Sequence, residues 1–189
     1  MSEEHLTLEP LGDKLIAYFF ERMISEKTLK RNAVMQVSGD ENVIAFTYKT
    51  NGVRVGCKYR SIGKKFWQDR GTEKSLYGLD DIKEAAEIII VEGEIDKLSM
   101  EEVGFSNCVS VPSGAPSKVS AKELPSLEKA SRIILATDGD APGEALAEEL
   151  ARRLGKDKCW QVSWPKKDTF NYFKDANEVF VIAYFANSL

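Results

Sequence analysis

The unbroken apolar run Ile88, Ile89, Ile90 and Val91 constrains this sequence more than any other feature. A strand without polar alternation has to be covered on both faces, which is the condition of a strand inside a parallel sheet. The residues C-terminal to this run alternate helix and strand. The pattern predicts a helix over 95–103 stopped at Gly104, a strand over 108–111, and a helix over 119–130 around an internal Pro125. It then predicts a strand over 132–136, a helix over 142–154 with Pro142 in its first turn and Gly155 as its stop, a strand over 158–163, and an apolar helix over 177–185. Strand and helix in alternation require a mostly parallel sheet with helices on both faces. Ligands of such sheets sit at the C-terminal ends of the strands.

The first third reads differently. Leu15, Tyr18, Phe19, Arg22 and Met23 keep a helical period with Asp13 as N-cap, and Ser25 caps a second short helix to about Arg31. From Asn42 the pattern turns to β: Ile44, Phe46 and Tyr48 alternate, Asn51-Gly52 forms a type I′ turn, and Val53, Val55 and Cys57 run back. The segment through Trp67 continues this small sheet. The expectation is a basic α+β subdomain over 1–80, followed by an α/β domain over 81–189.

Composition narrows the chemistry by exclusion. Cys57, Cys108 and Cys159 are far apart in sequence and His5 is the only histidine, so no structural zinc site can be drawn and His-dependent catalysis is excluded. Three widely spaced cysteines fit a reducing compartment. No apolar run approaches the roughly 18 to 20 residues that span a bilayer. The start of the sequence, MSEEHLTLEP, is acidic and shows no import or secretory pattern. Carboxylates remain as the catalytic currency.

Their positions are informative. Glu92, Glu94 and Asp96 follow the first buried strand in VEGEID, and Asp138 and Asp140 follow the third in ATDGD. If those strands are neighbours, Glu92, Asp138 and Asp140 converge on one rim. Packed carboxylates either take up protons or bind a hard cation, and Mg²⁺, with its oxygen ligands and few protein contacts, is the natural candidate. Solvated turn acids are the plainer alternative. Glu94 is expected to face a helix start, and Asp96 to be a first-turn or outer ligand. Gly93 and Gly139 each follow an acid at a strand end, where backbone can come close to an ion or phosphate. Asp175 either completes the rim or caps the last helix, with Asn177 as cap in the first case.

A basic strip offsets these acids. Lys49, Arg54, Lys58, Arg60, Lys64, Lys65 and Arg70 face only Asp69 in a protein of net charge −4. Tyr59, Phe66 and Trp67 are interleaved with them, a mixture suited to a groove that tracks a phosphate backbone and stacks bases. A solvated hairpin face would have similar composition. The loop VPSGAPSK offers Ser113, Gly114 and Lys118 for a phosphate, or is only a turn. It is not a Walker A loop.

Together these residues resemble the Toprim family of primases, topoisomerases and some nucleases, and within it the primase half of the phage and organellar primase-helicase group, the plant Twinkle-like proteins especially. The Glu after the first strand and the DxD after the third correspond to Glu92, Asp138 and Asp140; the group's K-D-A-N-E corresponds to Lys174 through Glu178; its K-x-R and K-K-F elements correspond to Lys58, Arg60 and Lys64 to Phe66. The resemblance runs from about Leu11 to Phe180. It implies a four-stranded Toprim sheet behind a basic subdomain, and RNA primer synthesis from NTPs on single-stranded DNA. Glu92, Asp138 and Asp140 would be catalytic. The same three with Asp175 and Asp96 would hold Mg²⁺ or Mn²⁺ and no zinc. Lys58, Arg60, Lys64, Lys65, Trp67, Gly114, Lys118 and Lys174 would meet nucleotide or template.

Members of the group carry a Cys-ligated zinc ribbon ahead of this region and a RecA-like helicase domain behind it, and this sequence contains neither pattern. A replicative helicase or a full-length primase-helicase acting in trans is therefore an implied partner, with a mitochondrion or chloroplast as the implied compartment. A metal-dependent Toprim nuclease and a non-catalytic accessory that binds single-stranded DNA or a helicase are the rival expectations. A topoisomerase would need a tyrosine in a large second domain.

Overall fold

The computed structural model describes residues 6–69, 75–112 and 124–186. The expectations placed on His5, Arg70, Ser113, Gly114 and Lys118, and on a helix over 119–123, lie outside these residues. Two compact units are present, Met1–Glu73 and Lys74–Leu189.

The first unit is a five-stranded antiparallel sheet in the order β1 (Leu8–Glu9), β2 (Val34–Val37), β3 (Asp40–Thr50), β4 (Val53–Ser61), β5 (Phe66–Gln68). Helices α1 (Asp13–Phe20) and α2 (Glu26–Arg31) lie between β1 and β2 in the chain. The expected turn is present: Asn51 and Gly52 both have positive φ, 55° and 76°, as a type I′ hairpin requires. Ser25 caps α2 by accepting from Thr28 N–H. Gly12 rather than Asp13 is the N-cap residue of α1, and Asp13 is its first residue, where its charge complements the helix dipole. Phe19 of α1 meets Phe46 edge to face at 6.5 Å, so one sheet face is covered by a helix. Strands β1 and β2 have no signature in the sequence pattern. They are short, and Gln36 secures them by accepting from Gly12 N–H at 2.8 Å and donating to Glu9 at 2.8 Å.

The second unit contains β6 (Glu87–Val91), α3 (Glu94–Glu102), β7 (Cys108–Ser110), α4 (Leu124–Glu128), β8 (Arg132–Leu135), α5 (Ala141–Leu154), β9 (Cys159–Gln161) and α6 (Ala176–Ala186). Its sheet is all parallel, in the order β7-β6-β8-β9. This is the four-stranded parallel α/β architecture expected from the sequence. Ile88, Ile90, Val109, Ile133 and Leu135 point to one face and pack with Leu127 of α4 and Leu146, Leu150 and Leu154 of α5. Ile89, Val91, Cys108 and Ile134 point to the other, with Met100 of α3. Alternate residues of one apolar run thus serve two cores, which is why β6 lacks polar alternation. Leu76 and Leu79 belong to the first of these cores, and Tyr77 exchanges two backbone hydrogen bonds with Ser110.

Helix α3 is fixed by an internal ion cluster. The Lys97 ammonium is fully buried and meets Asp81 at 2.8 Å and Glu101 at 2.7 Å. A buried charge is tolerable only with such partners, and deleting one side of the cluster costs about 3 to 5 kcal/mol. The cluster ties α3, which carries Asp96, to the short 3₁₀ turn Leu79–Ile82.

Candidate active site and basic strip

Parallel pairing of β6 with β8 brings their C-terminal ends together and delivers Glu92 beside Asp138. The Asp138 N–H donates to Glu92 Oε1 at 2.8 Å. Asp140 is the N-cap of α5 and its Oδ1 accepts from Gly143 N–H at 3.0 Å. Asp96, in the first turn of α3, accepts the Asn177 N–H at 3.1 Å. Asp175 accepts the Glu178 N–H at 2.8 Å at the start of α6. Four carboxylates from three strand-to-helix segments are therefore each anchored by one oxygen to a backbone N–H, which leaves the second oxygen of each to other partners.

The anchoring corrects one expectation. Asp175 itself caps α6, and Asn177 stands inside the helix, donating its backbone N–H to Asp96 and its side-chain amide to Ser99 Oγ at 2.8 Å. Glu94 is the buried first residue of α3, at the helix start as expected. At Gly93 a Cβ would lie 2.6 Å from Asp96 Oδ2, so a carboxylate rather than a ligand makes the close approach there. Nothing in the sequence marks Gly143, yet its Cβ would stand 2.1 Å from the Asp138 carbonyl and 2.7 Å from Glu92 Oε1. Only glycine lets α5 start so near the acids.

Burial, reinforced by neighbouring carboxylates, pushes Glu92 and Asp138 above the usual carboxylate range; the Asp138 N–H opposes this at Glu92 and Lys174 opposes it at Asp138. Asp96 is pushed up to about 8, by burial first and then by the charge of Asp175. Lys174 stands among these acids. Its ammonium is 3.2 Å from Asp138 Oδ2 and 3.3 Å from Asp140 Oδ2, and those contacts hold its pKa above the usual lysine value.

Among the described residues no three His, Cys, Asp or Glu side chains stand ready round one point to hold a metal ion. The Lys174 ammonium already occupies the place between Asp138 and Asp140 as a stand-in cation. The donor set is hard carboxylate oxygen throughout. Mg²⁺ usually takes one or two carboxylates and completes its shell with water and substrate phosphate rather than with a closed protein cage. The residues present fit Mg²⁺ or Mn²⁺ on that ground.

Beside Asp138 a groove of about 340 Å³ is lined by Thr137, Glu144, Gln161, Ser163, Trp164 and Tyr172. Its wall is braced by Trp164, whose indole N–H donates to the Thr137 carbonyl at 2.8 Å. A larger hollow of about 560 Å³, between α5 and β9, is lined by Glu148, Arg152 and Cys159 among others and contains none of the predicted site residues.

The basic strip separates into two faces. Strand pairing sets Lys58 opposite Gln68, Tyr59 opposite Trp67 and Arg60 opposite Phe66. Side chains alternate along a strand, so Lys58, Arg60 and Phe66 share one face and Tyr59 and Trp67 the other. The Phe66 ring lies 5.5 Å from the Lys58 ammonium and 5.4 Å from the Arg60 guanidinium. Trp67 instead stacks on Tyr59 at 5.6 Å with 21° between the planes, and the Tyr59 hydroxyl donates to Asp69. Trp67 therefore stands on the face opposite Lys58 and Arg60, and the ring beside those cations is Phe66, which is 54% exposed. Lys58 is 6% exposed, Arg60 Nε is a buried donor without a hydrogen-bond partner, and Lys64 and Lys65 are exposed in the turn before β5.

Comparison with known proteins bears on the fold and the family. Residues 86–163 match the Toprim domain family. The chain is 61% identical over 93% of its length to the primase homolog protein of Arabidopsis thaliana, covering 57% of it. It is 60% identical over 93% of its length to the Twinkle homolog protein, chloroplastic/mitochondrial, of the same plant, covering 27% of it. The chain thus spans little more than half of one curated relative and about a quarter of the other. The primase fragment of the bacteriophage T7 primase-helicase protein has the same fold, with TM-score 0.78 and 24% identity over the whole of this chain and 75% of that one. No helix among the described residues is long and apolar enough to cross a membrane.

Proposed function

From the premise that this chain belongs to the Toprim-containing primases of the phage and organellar primase-helicase group, we propose that it is a nucleotidyl-transfer core that makes RNA primers from NTPs on single-stranded DNA. The observation that carries this reading is the meeting of Glu92, Asp138 and Asp140 at the ends of two adjacent parallel strands, with one cation already drawn between the two aspartates.

In this reading Glu92, Asp138 and Asp140, with Asp96 and Asp175 behind them, hold Mg²⁺ or Mn²⁺. Bound there, the ion lowers the pKa of a ribose 3′-hydroxyl and offsets charge on the reacting phosphate. The residues themselves keep the site in shape. Backbone anchors fix Glu92, Asp96, Asp140 and Asp175 before substrate arrives, which limits reorganisation at the moment of reaction. Lys58, Arg60, Lys64 and Lys65 take template or nucleotide phosphates, and Phe66 offers a ring to a base. Single-stranded DNA and NTPs are the partners, with a replicative helicase or a full-length primase-helicase in trans. The relative named for chloroplast and mitochondrion supports an organellar setting.

The test is synthesis on single-stranded DNA with NTPs and Mg²⁺, run with and without a related helicase. NTP-dependent RNA products are expected from the wild-type chain, falling at least about 100-fold in Glu92→Gln and Asp138→Asn, since each removes a charge from the reacting centre. Absence of products under both conditions overturns the proposal. Cleavage of the DNA with metal but no NTPs would replace it with the nuclease reading, which uses the same acids.

A further inference from the structure

We propose that Lys174 is a displaceable counter-cation, which holds Asp138 and Asp140 together in the metal-free protein and gives them up to a divalent ion, its freed ammonium then serving the triphosphate. The inference rests on the reading of this rim as a metal site and adds a residue that sets its affinity.

Three observations lead to it. First, the oxygens are already allotted. Asp140 Oδ1 caps α5, so Oδ2 is its other ligand atom, and that atom and Asp138 Oδ2 both face the Lys174 ammonium at 3.3 and 3.2 Å. Any ion that takes those two oxygens has to take them from Lys174. Second, the backbone of Lys174 is held independently of its side chain, whose polar contacts are the two aspartates. Its carbonyl accepts from Gly139 N–H at 2.7 Å and its N–H donates to Glu178 Oε2 at 2.8 Å, but the side chain is 55% exposed. A four-carbon stem on a fixed Cα can carry its charge several ångströms without moving the loop. Third, Glu178 is held in turn by an ion pair with Lys167, so the anchor persists when the ammonium leaves.

The arrangement has a functional consequence. Two carboxylates on adjacent turns repel each other, and the lysine between them offsets that repulsion and holds them in place until a stronger cation replaces it. Replacement then frees a positive charge at the spot where a metal-bound triphosphate would lie.

The experiment uses the full chain with Mn²⁺ as probe, followed by electron paramagnetic resonance and calorimetry. Lys174→Gln should bind Mn²⁺ about threefold to tenfold more tightly than wild type, because the competing charge is gone. The same variant should bind ATP more weakly in the presence of Mn²⁺, while Lys174→Arg keeps a Mn²⁺ affinity within about twofold of wild type. A folded Gln variant with unchanged or weaker Mn²⁺ affinity overturns the inference. Should that variant lose its fold, acetylation of the wild-type chain decides: the rate at Lys174, read by mass spectrometry, should rise on adding Mg²⁺, and an unchanged rate is equally fatal. If wild type binds no Mn²⁺ at all, the metal reading beneath it falls instead.

Discussion

The acidic rim and the basic strip carry opposite charge, and they differ more in how the side chains are held than in sign. On the rim, Glu92, Asp96, Asp140 and Asp175 each give one oxygen to a backbone N–H belonging to another turn or to a helix start. On the strip, Lys64 and Lys65 are exposed in a turn, and Lys58 and Arg60 have the face of Phe66 as a common neighbour. A divalent ion and an in-line reaction need atoms placed to fractions of an ångström. A flexible polyanion needs charge and a flat ring, at whatever spacing its phosphates offer. The first unit therefore works with surface and the second with anchored geometry, and substitutions in the two should fail in different ways.

The sharpest test within the strip concerns its two rings. Phe66→Ala removes the ring that lies beside Lys58 and Arg60, and should weaken binding of single-stranded DNA by about 1 to 2 kcal/mol, roughly tenfold or more. Trp67→Ala removes a ring stacked on Tyr59, and should lower thermal stability with little change in DNA affinity. Titration of a fluorescent oligonucleotide, with melting curves for both variants, checks the pair. Equal losses of affinity, or the larger loss at Trp67, would return Trp67 to the binding face.

The same pair of rings marks where the sequence ceases to be informative. The parallel sheet is legible because Ile88 to Val91 supply two cores at once, and Glu92, Asp138 and Asp140 are legible because strand ends are where such sheets place acids. The division of Phe66 from Trp67 is not, because it depends on a pairing register between β4 and β5, and a one-residue slip would exchange the rings. Lys97 looks like any surface lysine of an amphipathic helix; its burial depends on Asp81, which comes from a turn before β6. Gly143 is silent for the same reason, since the Asp138 carbonyl and Glu92 become its neighbours only once α5 and two strands have assembled. The bridging position of Lys174 requires the loop after β9 to return to the end of β8, a contact that spacing does not encode.

A smaller effect is expected at the turn. Neutralising Lys64 and Lys65 together, as Lys64→Gln with Lys65→Gln, should weaken single-stranded DNA binding severalfold at low salt. It should also reduce the slope of log K against log salt by about 1.4, since each phosphate contact on a single strand contributes about 0.7. A salt titration of the double variant reads this directly. A slope equal to wild type would remove both lysines from the contact surface while leaving Phe66 in place.

The smallest effect belongs to the rim and is read without any substrate. Asp96 titrates near 8 in the folded chain, against about 3.9 when unfolded, and Glu92 and Asp138 are raised in the same direction. Between about pH 4 and pH 8 the folded state therefore binds protons that the unfolded state does not. By linkage the stability from these groups is full at the acid end of that window and is lost as pH rises through the folded value. In EDTA the melting temperature should fall between about pH 5.5 and pH 8.5. A divalent ion takes the place of those protons, so added Mg²⁺ should raise the melting temperature more at about pH 8.5 than at about pH 5.5. Asp96→Asn should flatten this profile. A melting temperature that rises with pH in EDTA, or an Mg²⁺ increment that is the same at both ends, would mean that the rim is neutralised by something other than protons and divalent ions.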